Sequence, residues 1–123
     1  MDNAQQKTAL IVDDEPEIVE LVAAEFEERG WRVVLAANGR EAMDKLSQEH
    51  ANLIVSDLMM PRMNGLELLE YVRAHDPKGP AFILVSGSIQ LTKERKLNPD
   101  GQFAKPLSLS ELVNKGEELI ARR

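Results

Sequence analysis

The sequence predicts a single α/β domain built on a parallel sheet covered on both faces. Three observations carry that prediction. Short apolar runs alternate with longer amphipathic stretches along the 123 residues. Most of the apolar runs lack the polar alternation of a half-exposed strand. No repeat, low-complexity tract or linker interrupts them. The length is that of one ordinary domain with one core, expected to span residues 1–123 with its packed part at about 7–121.

Each element has a local reason. The first strand, Thr8–Val12, lies in the stretch ALIVDDEP. Glu15-Pro16 opens a helix after it, because proline's fixed φ and missing N–H suit the first turn. Ile18, Val19, Leu21, Val22 and Phe26 then recur at helical spacing up to Gly30, a natural stop. A second strand is expected at Arg32–Ala36. In NGREAM, Asn38 is placed to cap a second helix with Glu41 three residues on. A third strand, Asn52–Ser56, leads to Asp57 and a loop containing Met-Pro and Asn64-Gly65. Leu66, Leu69, Tyr71 and Val72 mark the next helix. A fourth strand is expected at Ala81–Val85 and a short fifth at Gln102–Ala104. SLSELV opens the last helix, with Ser108 and Glu111 as a capping box. Five strands and up to five helices alternate, and right-handed crossovers make the sheet parallel.

Composition narrows the function classes. Apolar residues at 43% and charged residues at 29% are ordinary for a globular chain. A formal charge of -6 argues against a general nucleic-acid surface and favours a cation as ligand. With no cysteine, disulfides, thiolate metal sites and thiol catalysis are excluded, and a reducing cytoplasm is the default compartment. The start MDNAQQK lacks the basic and apolar segments of a secretion signal, and no apolar run approaches membrane-spanning length, so no membrane contact is expected. His50 and His75 have no second ligand at metal spacing and read as solvated. Met59, Met60 and Met63 read as loop and core packing, and AEFEERG as an exposed helix face.

Sheets of this kind bind ligands beyond the carboxyl ends of their strands. Asp13 and Asp14 follow the first strand, Asp57 the third, Ser86 the fourth and Lys105 the fifth, so all meet at one rim. The fragments LIVDDEP, LIVSDLMMPRMNGLELL, ILVSGS and FAKP, in that order, resemble the receiver domain of bacterial two-component response regulators, of the single-domain chemotaxis type. The likeness covers nearly the whole chain. It implies a flavodoxin-like doubly wound sheet in the order 2-1-3-4-5 and phosphorylation of one aspartate.

The residues themselves argue for the same chemistry. Three crowded carboxylates repel one another and raise at least one pKa unless a cation is present. An all-oxygen set with few protein ligands suits Mg2+. Asp13, Asp14 and Asp57 are therefore assigned to the metal, and the resemblance adds the backbone carbonyl of Met59. Asp57 is the expected nucleophile, since phosphoryl transfer needs mainly positioning and charge neutralisation. Lys105 would reach the phosphoryl oxygens with its ammonium, and the Ser86 hydroxyl would donate to another. The resemblance further implies Ser86 and Phe103 as switch positions and a cis bond before Pro106.

A flavin-binding module of the same fold would carry a phosphate loop where this chain has carboxylates. A degenerate receiver acting as a phosphorylation-independent scaffold is the alternative, and the intact acid cluster counts against it. The expected partners are a sensor histidine kinase or histidine phosphotransfer protein and a downstream protein. Turnover would be limited to the domain's own phosphorylation and dephosphorylation. The segment SIQLTKERKLNPDGQ, shorter than the usual receiver connection, has Pro99-Asp100-Gly101 as a turn and few apolar anchors. A short or frayed helix is expected there, with weak exchange protection over residues 89–97, which favours a monomer over the usual dimer.

Overall fold

The computed structural model describes residues 6–87 and 98–122. In chain order the elements are β1 (Thr8–Val12), α1 (Pro16–Glu28), β2 (Arg32–Ala36), α2 (Gly39–Gln48), β3 (Leu53–Asp57), α3 (Gly65–His75), β4 (Ala81–Ser86), β5 (Gly101–Ala104) and α4 (Leu109–Ala121). All neighbouring strands are parallel, in the order β2-β1-β3-β4-β5, as the resemblance implied. The helix expected between β4 and β5 lies outside the described residues.

β1, β3 and β4 are buried throughout, which is why their sequences are continuous apolar runs. Alternation along them divides the core in two. Ala9, Ile11, Leu53, Val55, Ile83 and Val85 join Phe26 of α1 and Leu112 of α4. Leu10, Val12, Ile54, Phe82 and Leu84 join Ala42 of α2 and Leu69 of α3 on the other face. β2 and β5 form the edges and are half exposed.

The helix ends follow the sequence reading with three refinements. Asn38 accepts a hydrogen bond from the Glu41 backbone N–H (2.9 Å), but the Glu41 carboxylate reaches the N–H of Ala37 (2.9 Å). At α1 the residue before Pro16 makes no side-chain cap; instead Asp13 Oδ1 accepts from the Glu15 N–H at 2.9 Å. Ser108 accepts from the Glu111 N–H at 3.3 Å, which is one half of the expected capping box; the return bond from the Glu111 carboxylate is not made.

Some boundaries and faces differ from expectation. β3 runs one residue later, because Asn52 spends its side chain as well as its N–H on Thr8 (both 2.8 Å) and Asp57 itself pairs with Val85. β4 extends to Ser86, paired with Ala104. Leu21 is 56% exposed, off the stripe of Val19, Val22, Ala23 and Phe26 that α1 buries.

Candidate functional site

Three backbone hydrogen bonds prolong the parallel ladder past the strand ends and bring the site to one rim. Asp13 N–H donates to Ala36 O (3.2 Å), Leu58 N–H to Val85 O (2.8 Å) and Lys105 N–H to Ser86 O (3.1 Å). Asp13, Asp57 and Lys105 are thereby held at the ends of β1, β3 and β5 on the same rim, although they are distant in the chain.

Asp13 and Asp57 are 7% and 5% exposed, whereas Asp14 faces solvent. One carboxylate oxygen from each lies within 4.8 Å of the others. Lys105 Nζ stands 3.3 Å from Asp57 Oδ1 and 3.6 Å from Glu15 Oε1. In the sequence Glu15 reads only as helix-opening chemistry; the contact depends on the Lys105 side chain, after β5, reaching across the rim to the loop after β1. Ser86 is buried at the end of β4, and the Lys105–Pro106 peptide is cis. Phe103 is half-buried, packed against the core cluster that contains Val85.

The β3–α3 loop that carries Met59 is tightly held. Gly65 N–H donates to Leu58 O (2.9 Å), Met63 N–H to Pro61 O (2.8 Å), and Arg62 takes a left-handed φ of 72° between them. A Cβ on Gly65 would sit 2.5 Å from the Asp57 carbonyl oxygen, so only glycine lets α3 start this close to the end of β3. Asn64 and Glu67 complete a reciprocal capping box that the sequence reading passed over, although the Asn-x-x-Glu spacing is its signal. Met60 and Met63 pack on the α2–α3 side of the core as expected, but Met59 is 67% exposed.

Electrostatics follow from this crowding. Burial is the main cause that pushes Asp13 up to about 6, with Asp57 adding repulsion, against the hydrogen bond from Glu15. Asp57 is also raised, chiefly by burial, although Lys105 opposes the shift. Mutual repulsion, the cause expected from sequence, is real but secondary. At Lys105 burial acts to lower the pKa, and the Asp57 carboxylate together with Asp13 and Glu15 outweighs it, so the ammonium is held more firmly.

The donor set fits a hard divalent cation. It is all oxygen, it includes no histidine or thiolate, and two of its carboxylates are buried at a cost that a cation would relieve. Residues 9–117 match the family described as the response regulator receiver domain. The chain belongs to this receiver family.

The receiver is 35% identical over 115 residues to the transcriptional regulatory protein TrcR of Mycobacterium tuberculosis, covering 92% of this chain and 45% of that protein. It spans about half the length of the first curated relatives it matches. The Francisella response regulator 1452 receiver domain has a TM-score of 0.86 at 30% identity, covering 95% of this receiver and 98% of that chain. TrrA from Thermotoga maritima, solved in complex with Mg2+ and BeF, has a TM-score of 0.85 at 30% identity, covering 93% and 99%. Response regulator receivers are signalling domains of two-component systems that take phosphoryl groups from histidine kinases, and they bind Mg2+ at an aspartate cluster. No helix among the described residues is long and apolar enough to cross a membrane.

Proposed function

We propose that this receiver accepts a phosphoryl group on the Asp57 carboxylate from a phosphohistidine of a sensor kinase or phosphotransfer protein. One observation carries the assignment: the buried Asp57 lies within 4.8 Å of two further carboxylates and 3.3 Å from the Lys105 ammonium. A carboxylate oxygen of Asp57 attacks phosphorus in line, the phosphorus–nitrogen bond to the donor imidazole breaks, and an acyl phosphate results. Asp13, Asp14, Asp57 and the Met59 carbonyl would hold Mg2+. When bound, the ion supplies charge neutralisation for the incoming phosphoryl oxygens. Lys105 leaves its contact with Asp57 to meet a phosphoryl oxygen, and the Ser86 hydroxyl donates to another.

Drawing Ser86 inward opens space at the end of β4, and Phe103, half-buried one strand away, follows it; this movement alters the surface offered to a downstream protein. A groove of about 240 Å3 beside Asp13 and Asp14, walled by Pro16, Val19 and Leu35, supports docking of a protein donor over the rim. The domain is a monomeric cytoplasmic switch spanning 1–123. It assists only its own phosphorylation and dephosphorylation and contacts neither nucleic acid nor membrane.

Mass spectrometry of intact protein treated with Mg2+ and a small acyl phosphate, or with a phosphohistidine kinase, tests the assignment. Wild type is expected to gain one phosphoryl mass and Asp57→Asn to gain none. Equal incorporation by both proteins would refute Asp57 as acceptor.

A further inference from the structure

Met59 combines two properties that no other described methionine shares. Its side chain is 67% exposed, and it stands two residues beyond Asp57. Met43, Met60 and Met63 are partly buried against the α2–α3 core cluster. Met63 packs against the start of α2, with its Cγ and Sδ 2.7 and 2.9 Å from where a Cβ on Gly39 would stand. The backbone on either side of Met59 is fixed by the fully packed Leu58 and by the Gly65–Leu58 and Met63–Pro61 hydrogen bonds. The thioether therefore meets solvent in the folded state, while the sulfurs of the other three belong to partly buried side chains.

We infer that Met59 is a redox-modification site through which a peroxide-class oxidant slows phosphoryl acceptance at Asp57. The inference rests on the acceptor assignment made above and adds a regulatory input to the same site. In the reaction the Met59 sulfur gives up two electrons and forms an S–O bond. The peroxide O–O bond breaks, one oxygen is retained on sulfur and the other leaves as water. The product replaces an exposed apolar thioether, two residues from Asp57, with a strongly polarised S–O group close in the chain to the carboxylate that the anionic phosphoryl group must reach. An exposed perturbation of this kind is modest in size, so the expected result is a reduced rate rather than abolition. Because Met59 is not part of the packed core, its sulfoxide leaves the fold intact and open to thiol-dependent sulfoxide reductases, which makes the modification reversible.

The test treats the whole chain with graded hydrogen peroxide, maps oxygen incorporation by peptide mass, and measures initial phosphorylation by a small acyl phosphate with Mg2+ present. Met59 is expected to oxidise ahead of Met43, Met60 and Met63. The rate is expected to fall about threefold or more as Met59 is consumed, and methionine sulfoxide reductase is expected to restore it. The Met59→Leu protein, compared with its own untreated control, is expected to keep its rate under the same dose. Earlier oxidation of Met43, Met60 or Met63, a rate indifferent to complete Met59 oxidation, or an equal loss in Met59→Leu would overturn the inference. Those failures leave the untreated rate in place. An untreated wild type that takes no phosphoryl group overturns the acceptor assignment instead, and the regulatory claim with it.

Discussion

Burial lifts the Asp13 carboxyl to about 6, so the metal-free folded state holds a proton there over a range in which the unfolded chain, at 3.8, has released it. A group raised on folding stabilises most fully below its unfolded pKa, and that contribution is lost as pH rises through the folded value. Stability of the metal-free protein should therefore decline between pH 3.8 and about 6 on account of Asp13. Asp13→Asn keeps an acceptor for the Glu15 N–H without the charge. It should stabilise the metal-free protein at pH 7 by about 1–2 kcal/mol, allowing for solvent at the open rim, and flatten the pH dependence. Urea unfolding at pH 5 and pH 7 measures both. Lys105→Met should slow acyl-phosphate incorporation by about tenfold or more, because a positioned charge on the phosphoryl oxygens is lost; Lys105→Arg should rescue little, since a planar fork does not replace a point charge. At this scale the candidate residues were legible because aspartates, serine and lysine at strand ends have few bland uses in combination. Glu15 was not, because a glutamate before a proline looks the same with or without a lysine facing it.

Helix and loop boundaries were legible where one residue type solves a local problem, as at Asn38 and Gly30, whose φ of 89° ends the turn after α1. The start of α3 combines two such solutions. Asn64→Ala should cost about 1 kcal/mol through the lost cap. Gly65→Ala should cost more, about 1–3 kcal/mol, by forcing a methyl group against the Asp57 carbonyl and Leu84; it should also impair phosphorylation, which a cap defect should not. Thermal melts beside phosphorylation rates separate the two. In the sequence Asp100 reads only as part of a turn, yet its Oδ2 accepts from the Phe82 N–H (2.8 Å) and Arg73 Nη2 (2.7 Å), while Arg73 Nη1 donates to the Pro80 carbonyl (3.0 Å). This knot ties α3 and the start of β4 to the start of β5. Its partners are 18 and 27 residues away, beyond the reach of local pattern reading. Asp100→Ala strands the Phe82 N–H and should lower stability by about 1.5–3 kcal/mol in urea unfolding.

For the molecule as a whole, the alternation of apolar runs and amphipathic stretches was enough to imply a parallel sheet, since buried strands on both faces need helices on both faces. Strand order came from the resemblance, because periodicity does not say which buried strands are neighbours. Exposure of Leu21 and Met59 was equally hidden: an apolar letter at an allowed spacing does not reveal which face the fold leaves open. If the native fold alone gathers the three carboxylates, Mg2+ should raise the melting temperature of wild type, with about 2.7 kcal/mol gained at a hundred times the dissociation constant. Asp13→Asn should lose most of that gain in calorimetry with and without Mg2+. The ladder bonds at Asp13, Leu58 and Lys105 also bear on the protein's synthesis. Asp13 and Asp57 emerge from the ribosome well before Lys105, whose backbone is anchored by its own N–H to the end of β4. A nascent chain still short of its last strand thus carries the acids without their cation, so competence to receive a signal arrives late in translation, with the docking of the final strand.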